Sequence, residues 1–181
     1  PFVLLLGFPS FIIKGIRRGG LKRNFRQRFG HYRPEIRKAI EGNDAIWVHA
    51  VSVGEVFLAL KIIEAIHSLQ PDQQVILTTT TTTGHAVADE KATDQLSVIH
   101  NPGDLPWIVS RVLDLIQPKA IVLVESEIWP NLLAAAGKRD IPVKLANARL
   151  SPRSGRRYAK FKGFVEPVFS QLDAVSDPFE I

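Results

Sequence analysis

Residues 46–60 read IWVHAVSVGEVFLAL. An apolar, β-rich run stops at Ser52, a glycine and a lone glutamate follow, and a helical pattern begins. A strand that feeds a helix through a short polar turn is the unit of an α/β fold. The same grammar recurs downstream. Strands are predicted at 46–51, 74–79, 96–100, 120–125, 142–147 and 172–176, with helices near 54–69, 84–93, 105–117, 128–139 and 151–171, the last broken at Gly163. Near-continuous apolar runs such as AIVLVE (120–125) belong to strands covered on both faces, as in a parallel sheet. The expectation is a Rossmann-like parallel sheet with helices on both faces.

In such a sheet ligands bind outside the carboxyl ends of the strands. Those ends carry SVGE (52–55), TTTTTTGH (78–85), HNPGDLP (100–106), ESEIWPN (125–131) and NARLS (147–151). Ser52-x-x-Glu55 has the spacing of a capping box, in which the serine oxygen accepts from the amide three residues on and the glutamate reaches back. A carboxylate there can also serve as a base. The field of a helix N-terminus favours its ionised form, and the same field weakens it as a base, so the local pattern leaves both roles open. Gly54 and Gly84 each open a helix, where unpaired amides can receive a phosphate or carboxylate. Glu125 and Glu127, two apart in an extended segment, would share a face at the ligand edge; alternatively Glu127 sits in the first turn of a helix started by Pro130. Arg149 lies just past the fifth strand, where a guanidinium can pair with an anionic group, and Trp129 reads as core. No G-x-G-x-x-G follows the first strand and no G-x-x-x-x-G-K-[ST] occurs, which disfavours ordinary dinucleotide and P-loop sites.

The 181 residues carry a net charge of +5, unevenly spread. Residues 14–38 hold ten Lys/Arg against one acid, residues 151–163 hold five more and no acid, and residues 39–150 carry a balance of −5. The first basic run follows PFVLLLGFPSFII (1–13), too short and too broken by Pro9 to cross a bilayer alone. Apolar then basic suits a membrane-associating segment over 1–38 held on anionic lipids, ahead of an α/β domain over 39–181; a helix docked on the domain is the alternative. With no cysteine and five scattered histidines, disulfides are excluded and a structural zinc site is disfavoured. Few aromatics interleave the basic runs, so no nucleic-acid partner is expected.

Taken together, WVHAVSVGE, TTTTTTG, NPGDLPW, LVESEIWPN and NARLSPRS, in this order, resemble the 3-deoxy-D-manno-octulosonic acid (Kdo) transferase family of lipopolysaccharide synthesis. The resemblance covers nearly the whole chain, including RQRFG at 26–30. It implies the N-terminal, acceptor-binding half of a GT-B glycosyltransferase on the cytoplasmic face of the bacterial inner membrane. It also implies transfer of Kdo from CMP-Kdo to the lipid A precursor with inversion, without a metal or other cofactor. By resemblance Glu55 is the general base, and Ser52, Gly54, Thr83, Gly84, Glu125, Glu127, Asn131 and Arg149 belong to the substrate-binding set. The resemblance further implies a C-terminal donor-binding domain that this chain lacks, so that the chain alone is expected to be inactive. Threonine replaces the family's usual proline in the T-T-x-T-x-T-G loop, and the ending SDPFEI departs from the pattern. Two other classes compete: a non-catalytic membrane-surface α/β module whose loop acids are only caps, and another GT-B nucleotide-sugar transferase.

Overall fold

The structure is a computed structural model that describes residues 25–42, 44–125, 129–148, 170, 172, 174 and 175. Its strands fall where the apolar runs put them: β1 Ile46–Ala50, β2 Val75–Thr79, β3 Leu96–His100, β4 Ala120–Val124, β5 Val143–Ala146 and β6 Ala174–Val175. They form one sheet in the order β3-β2-β1-β4-β5-β6, every pair parallel. The helices are α1 Pro34–Ile40, α2 Val53–Leu69, α3 Thr82–Asp89, α4 Pro106–Ile116 and α5 Pro130–Gly137. α1 and a 3-10 turn at Phe25–Phe29 come before β1.

Side chains alternate across the strands, so β1 to β4 each feed two cores. Trp47, Ile76, Ile99, Ile121 and Leu123 pack with Ile108, Val112 and Leu113 of α4 and with Leu132 and Leu133 of α5. Val48, Ala50, Val75, Leu77 and Val124 pack on the other face with Val56, Ala59 and Ile63 of α2 and Ala88 of α3. Among the described residues α2 and α3 cover one face and α4 and α5, joined by α1, the other, and the switch after β3 makes the doubly wound arrangement that the strand–helix alternation implies.

Residues 25–40 pack onto this domain. Ile40 is fully buried, and Tyr32 and Ile36 lie against the α4/α5 core. Gly30 makes the close approach possible: its φ of +71° suits glycine, and a Cβ there would meet Val112 Cγ2 at 3.0 Å. Of the basic residues 14–38, Arg37 pairs with Glu41 at 3.0 Å on the surface, and Arg28 Nη2 donates to the Thr80 carbonyl at 2.7 Å. Among the described residues no helix is long and apolar enough to cross a membrane. Residues 1–24 and the helix expected over 151–171 lie outside the described residues, apart from Ser170.

Two polar arrangements are built into the core. Thr78 Oγ1 receives the Trp47 indole N–H at 2.9 Å, lies 2.9 Å from His49 Nδ1, and is 3.3 Å from the Val48 carbonyl. Burial pushes the fully enclosed His49 down to about 4, so the ring is neutral. The second arrangement caps α5. Its N-cap residue, Trp129, offers no capping side chain. Asp104, 27 residues earlier, accepts instead from the Asn131 amide (3.1 Å), the Leu132 amide (2.9 Å) and Asn131 Nδ2 (3.2 Å). Desolvation raises the Asp104 carboxyl above its ordinary range, against the opposing pull of these bonds.

Asp104→Ala would strip an acceptor from three donors and should lower the unfolding free energy by about 1–3 kcal/mol, read from urea unfolding. Asp104→Asn, with one oxygen left to accept, should lose less. Because His49 binds a proton near pH 6.5 when unfolded but only near pH 4 when folded, stability should fall as pH drops through that window. Unfolding curves at pH 7, 5.5 and 4.5 check this, and His49→Gln should make the trend shallower, the remaining slope belonging to His85 and His100, which burial also lowers.

Candidate functional site

β1 is the strand from which the chain proceeds outward in both directions, through β2 and β3 on one side and β4 to β6 on the other. The crevice at its carboxyl end, beside the end of β4, is therefore the topological switch point. Glu55 sits there. Its Oε2 accepts from the Val51 amide at 2.8 Å and its Oε1 from the Ser52 amide at 3.3 Å, while the Glu55 amide donates to Ser52 Oγ at 3.3 Å. The capping box anticipated from Ser52-x-x-Glu55 is complete. Glu55 is only 7% exposed, yet a carboxylate offers about four lone-pair sites, of which these amides use two. It is thus fixed in place with acceptor capacity left over.

The turn after β2 is locked onto the turn after β1. Thr81 Oγ1 donates to the Val51 carbonyl at 3.0 Å and accepts from the Gly84 amide at 3.1 Å. α3 accordingly starts at Thr82, with Thr81 as its cap, two residues earlier than the expected start at Gly84. Gly84 is buried, and a Cβ there would meet Thr81 Oγ1 at 2.8 Å and the Ser52 carbonyl carbon at 3.6 Å. Its absence of side chain is a packing requirement between the two loops. Gly54 and Thr83, by contrast, are exposed in the first turns of α2 and α3, and Ser52 is partly buried.

β4 ends at Val124, and Glu125 turns left-handed with φ of 62° while its amide donates to the Ala146 carbonyl at 2.9 Å. The segment is therefore not extended at Glu125, which removes the reason for placing it and Glu127 on one face. The change of backbone direction at the end of the strand is what the period-two reading did not foresee. Glu125 is partly buried beside the switch point. Glu127 and Arg149 lie outside the described residues. Asn131 is tied to the loop after β3: its Nδ2 donates to the Asp104 carbonyl at 2.8 Å as well as to the Asp104 carboxylate. Trp129 packs against the core as expected, edge-on to His49 with ring centroids 5.4 Å apart.

The structure brings further polar residues to this edge. The Arg28 carbonyl accepts from the Gly103 amide at 2.8 Å, and Gln27 Oε1 accepts from the His100 amide at 2.8 Å, so the RQRFG turn is tied to the end of β3. His85 and His100 stack with centroids 3.9 Å apart. Arg28 lies both in the basic run and in RQRFG, which the family resemblance includes, while nothing local pairs His85 with His100. A cleft of about 450 Å³ lined by Tyr32, Arg37, Glu41, Arg111 and Asp114 contains none of the strand-edge acids. Among the described residues no group of three or more His, Asp or Glu is arranged to hold a metal ion.

The sequence pattern of the family described as 3-deoxy-D-manno-octulosonic-acid transferase (kdotransferase) matches residues 23–177. The chain is 39% identical over 133 residues to the 3-deoxy-D-manno-octulosonic acid transferase of Haemophilus influenzae, covering 72% of this chain and 31% of that protein. It is 36% identical over 135 residues to the enzyme of the same name from Bordetella pertussis, with the same two shares. Against a probable mitochondrial 3-deoxy-D-manno-octulosonic acid transferase of Arabidopsis thaliana it is 36% identical over 138 residues, 74% of this chain and 29% of that protein. The chain thus spans about a third of the length of the relatives it matches. Matched over most of its own residues, it belongs to the Kdo transferase family of glycosyltransferases.

Proposed function

We propose that this chain is the acceptor-binding half of a GT-B enzyme that transfers Kdo from CMP-Kdo to the lipid A precursor, with inversion and with Glu55 as the general base. The observation that carries the reading is the buried Glu55 carboxylate, held by two backbone amides at the switch point and retaining lone pairs for a hydroxyl. A sugar hydroxyl is a poor nucleophile until its proton is removed in the transition state. As its oxygen forms a bond to the anomeric carbon of Kdo, Glu55 takes the proton. The bond from that carbon to the CMP phosphate oxygen breaks, and CMP leaves with the electron pair. A single displacement of this kind inverts the anomeric centre.

The exposed Gly54 and Thr83 leave room at the helix starts for the acceptor, and Ser52 holds the turn that carries the base. Glu125, beside the switch point, orients the acceptor; Glu127 and Arg149 are assigned to the same substrate set on the strength of the family motifs. Gly84 and Asn131 serve the site through the loop packing and the Asp104 clasp. No cofactor is assigned. Residues 1–38 hold the protein on the cytoplasmic face of the inner membrane; Phe25 and Phe29, packed edge-on and both more than a third exposed around Arg26, suit such a surface.

A second reading, in which Glu55 is a cap and nothing more, is favoured by the completeness of the capping box. Glu55→Gln in the full-length enzyme separates the two. Glutamine keeps only one of the two oxygens that accept from the Val51 and Ser52 amides, so stability should fall by about 1–2 kcal/mol, less than in Glu55→Ala. Turnover should fall by about 10²–10⁴ with acceptor affinity little altered, because the amide cannot take the proton. Near wild-type turnover in that variant, with lost stability in Glu55→Ala, would leave Glu55 as a cap. Membrane attachment has its own test. Binding to anionic vesicles should weaken as salt rises, since exposed charges are screened over about 10 Å at 0.1 M ionic strength. Deletion of residues 1–20 should weaken it, since the apolar segment and three of the ten basic residues go with it; a truncated protein that binds vesicles as tightly as the intact chain overturns the assignment.

A further inference from the structure

We infer that Arg28, His85 and His100 form an anion-binding subsite at the carboxyl ends of β2 and β3, which takes a phosphate group. Arg28 is held by two bonds, from its Nη2 to the Thr80 carbonyl at 2.7 Å and from the Gly103 amide to its own carbonyl at 2.8 Å. Among the described residues no ion pair includes Arg28, although it is partly buried and burial lowers its pKa. His85 stacks on His100 at 3.9 Å and lies 3.2 Å from Thr79 Oγ1 through Nδ1. His100 is 6% exposed, and its Nδ1 and Thr80 Oγ1 are both enclosed without a hydrogen-bond partner. Among the described residues, two orphaned polar atoms, a guanidinium in no ion pair and two imidazoles therefore share one corner.

That corner is costly to keep for stability alone. Burial, then the neighbouring His85 and Arg28 charges, push His100 down to about 3; burial also lowers His85, with Arg28 adding to the effect and Asp89 opposing it. Asp89, one turn along α3, is the acid that acts on the pair, and Gln27 and Thr79 face His100 as neutral groups. An oxyanion offsets the positive charges gathered here: it pairs with Arg28, accepts from protonated imidazole, and makes charge on the rings more favourable. The subsite lies on the same edge as Glu55, two strands over, a separation of about 10 Å. It does not depend on the transferase reading, because phosphate can bind here whether or not Glu55 is a base.

The probe is inorganic phosphate added to the 181-residue chain, followed by NMR of the histidine rings. The expected result is saturable movement of the His85 and His100 signals toward the imidazolium position at constant pH. Arg28→Gln should weaken phosphate binding roughly tenfold, the loss of one charge-assisted contact, while Arg26→Gln, an exposed neighbour in the same basic run, should not. If Arg28→Gln does not fold, His85→Gln, which removes one ring and one bond, carries the same expectation. Tighter binding of glucosamine 1-phosphate than of phosphate identifies a sugar acceptor as the source of the group, and tighter binding of cytidine monophosphate identifies a nucleotide; either sustains the subsite. Ring shifts no larger than those from sodium chloride at equal ionic strength, or undiminished phosphate affinity in the folded variants, overturn it.

Discussion

The bond from the Val51 amide to the Glu55 carboxylate, 2.8 Å long, fixes the turn on which the ligand edge is built. With the Ser52 amide also held, β1 must stop and α2 must start at one place and in one direction. The Val51 carbonyl, oriented by the same turn, receives Thr81 Oγ1 from the loop after β2. Gly84 then packs against Ser52 without a side chain between them. A carboxylate that satisfies two amides thus sets the relative position of two loops and two helices, and it does so from the crevice where the sheet changes direction. Capping and a role in chemistry are compatible because the amides occupy only part of the carboxylate's accepting capacity.

Away from that turn, the edge is held by contacts between parts of the chain far apart in sequence. Asp104, in the loop after β3, caps α5 and ties Asn131. Gln27, upstream of the whole sheet, satisfies the His100 amide at the end of β3. Each supplies an acceptor that the local chain lacks, and each lets a loop approach its neighbour without orphaning an amide. Burial disfavours the cationic form of His49 in β1 and of His85 and His100 at the edge, where Arg28 adds to the effect on both rings and His85 adds to it on His100. These groups link the stability of the domain to pH through the same residues that shape its polar edge.

Much of this was legible beforehand because its physics is local. Strands surrounded by apolar residues on both faces, a Ser-x-x-Glu box and prolines at the starts of α4 and α5 act within a few residues of chain. Near-continuous apolar runs called for cover on both faces of the sheet, and the structure fills them with different helices. Where the reading failed, a distant contact or a backbone reversal intervened. Glu125 leaves the strand conformation at φ of 62°, so its relation to later residues could not be taken from extended geometry. α3 starts before Gly84 because Thr81 is bonded across to Val51 and serves as its cap.

The sequence by itself determined the α/β class, the family, the position of nearly every strand, and Glu55 as the carboxylate of the first helix turn. These follow from periodicity, capping and motifs, each set by neighbours along the chain. Only the tertiary structure decided that β1 lies between β2 and β4, and so that Glu55 stands at the switch point. It alone gave α5 its cap in Asp104 and brought Arg28, His85 and His100 to one corner. The reason is geometric. A parallel sheet places successive strand ends side by side, and groups separated by dozens of residues become neighbours through strand order, which no local pattern encodes.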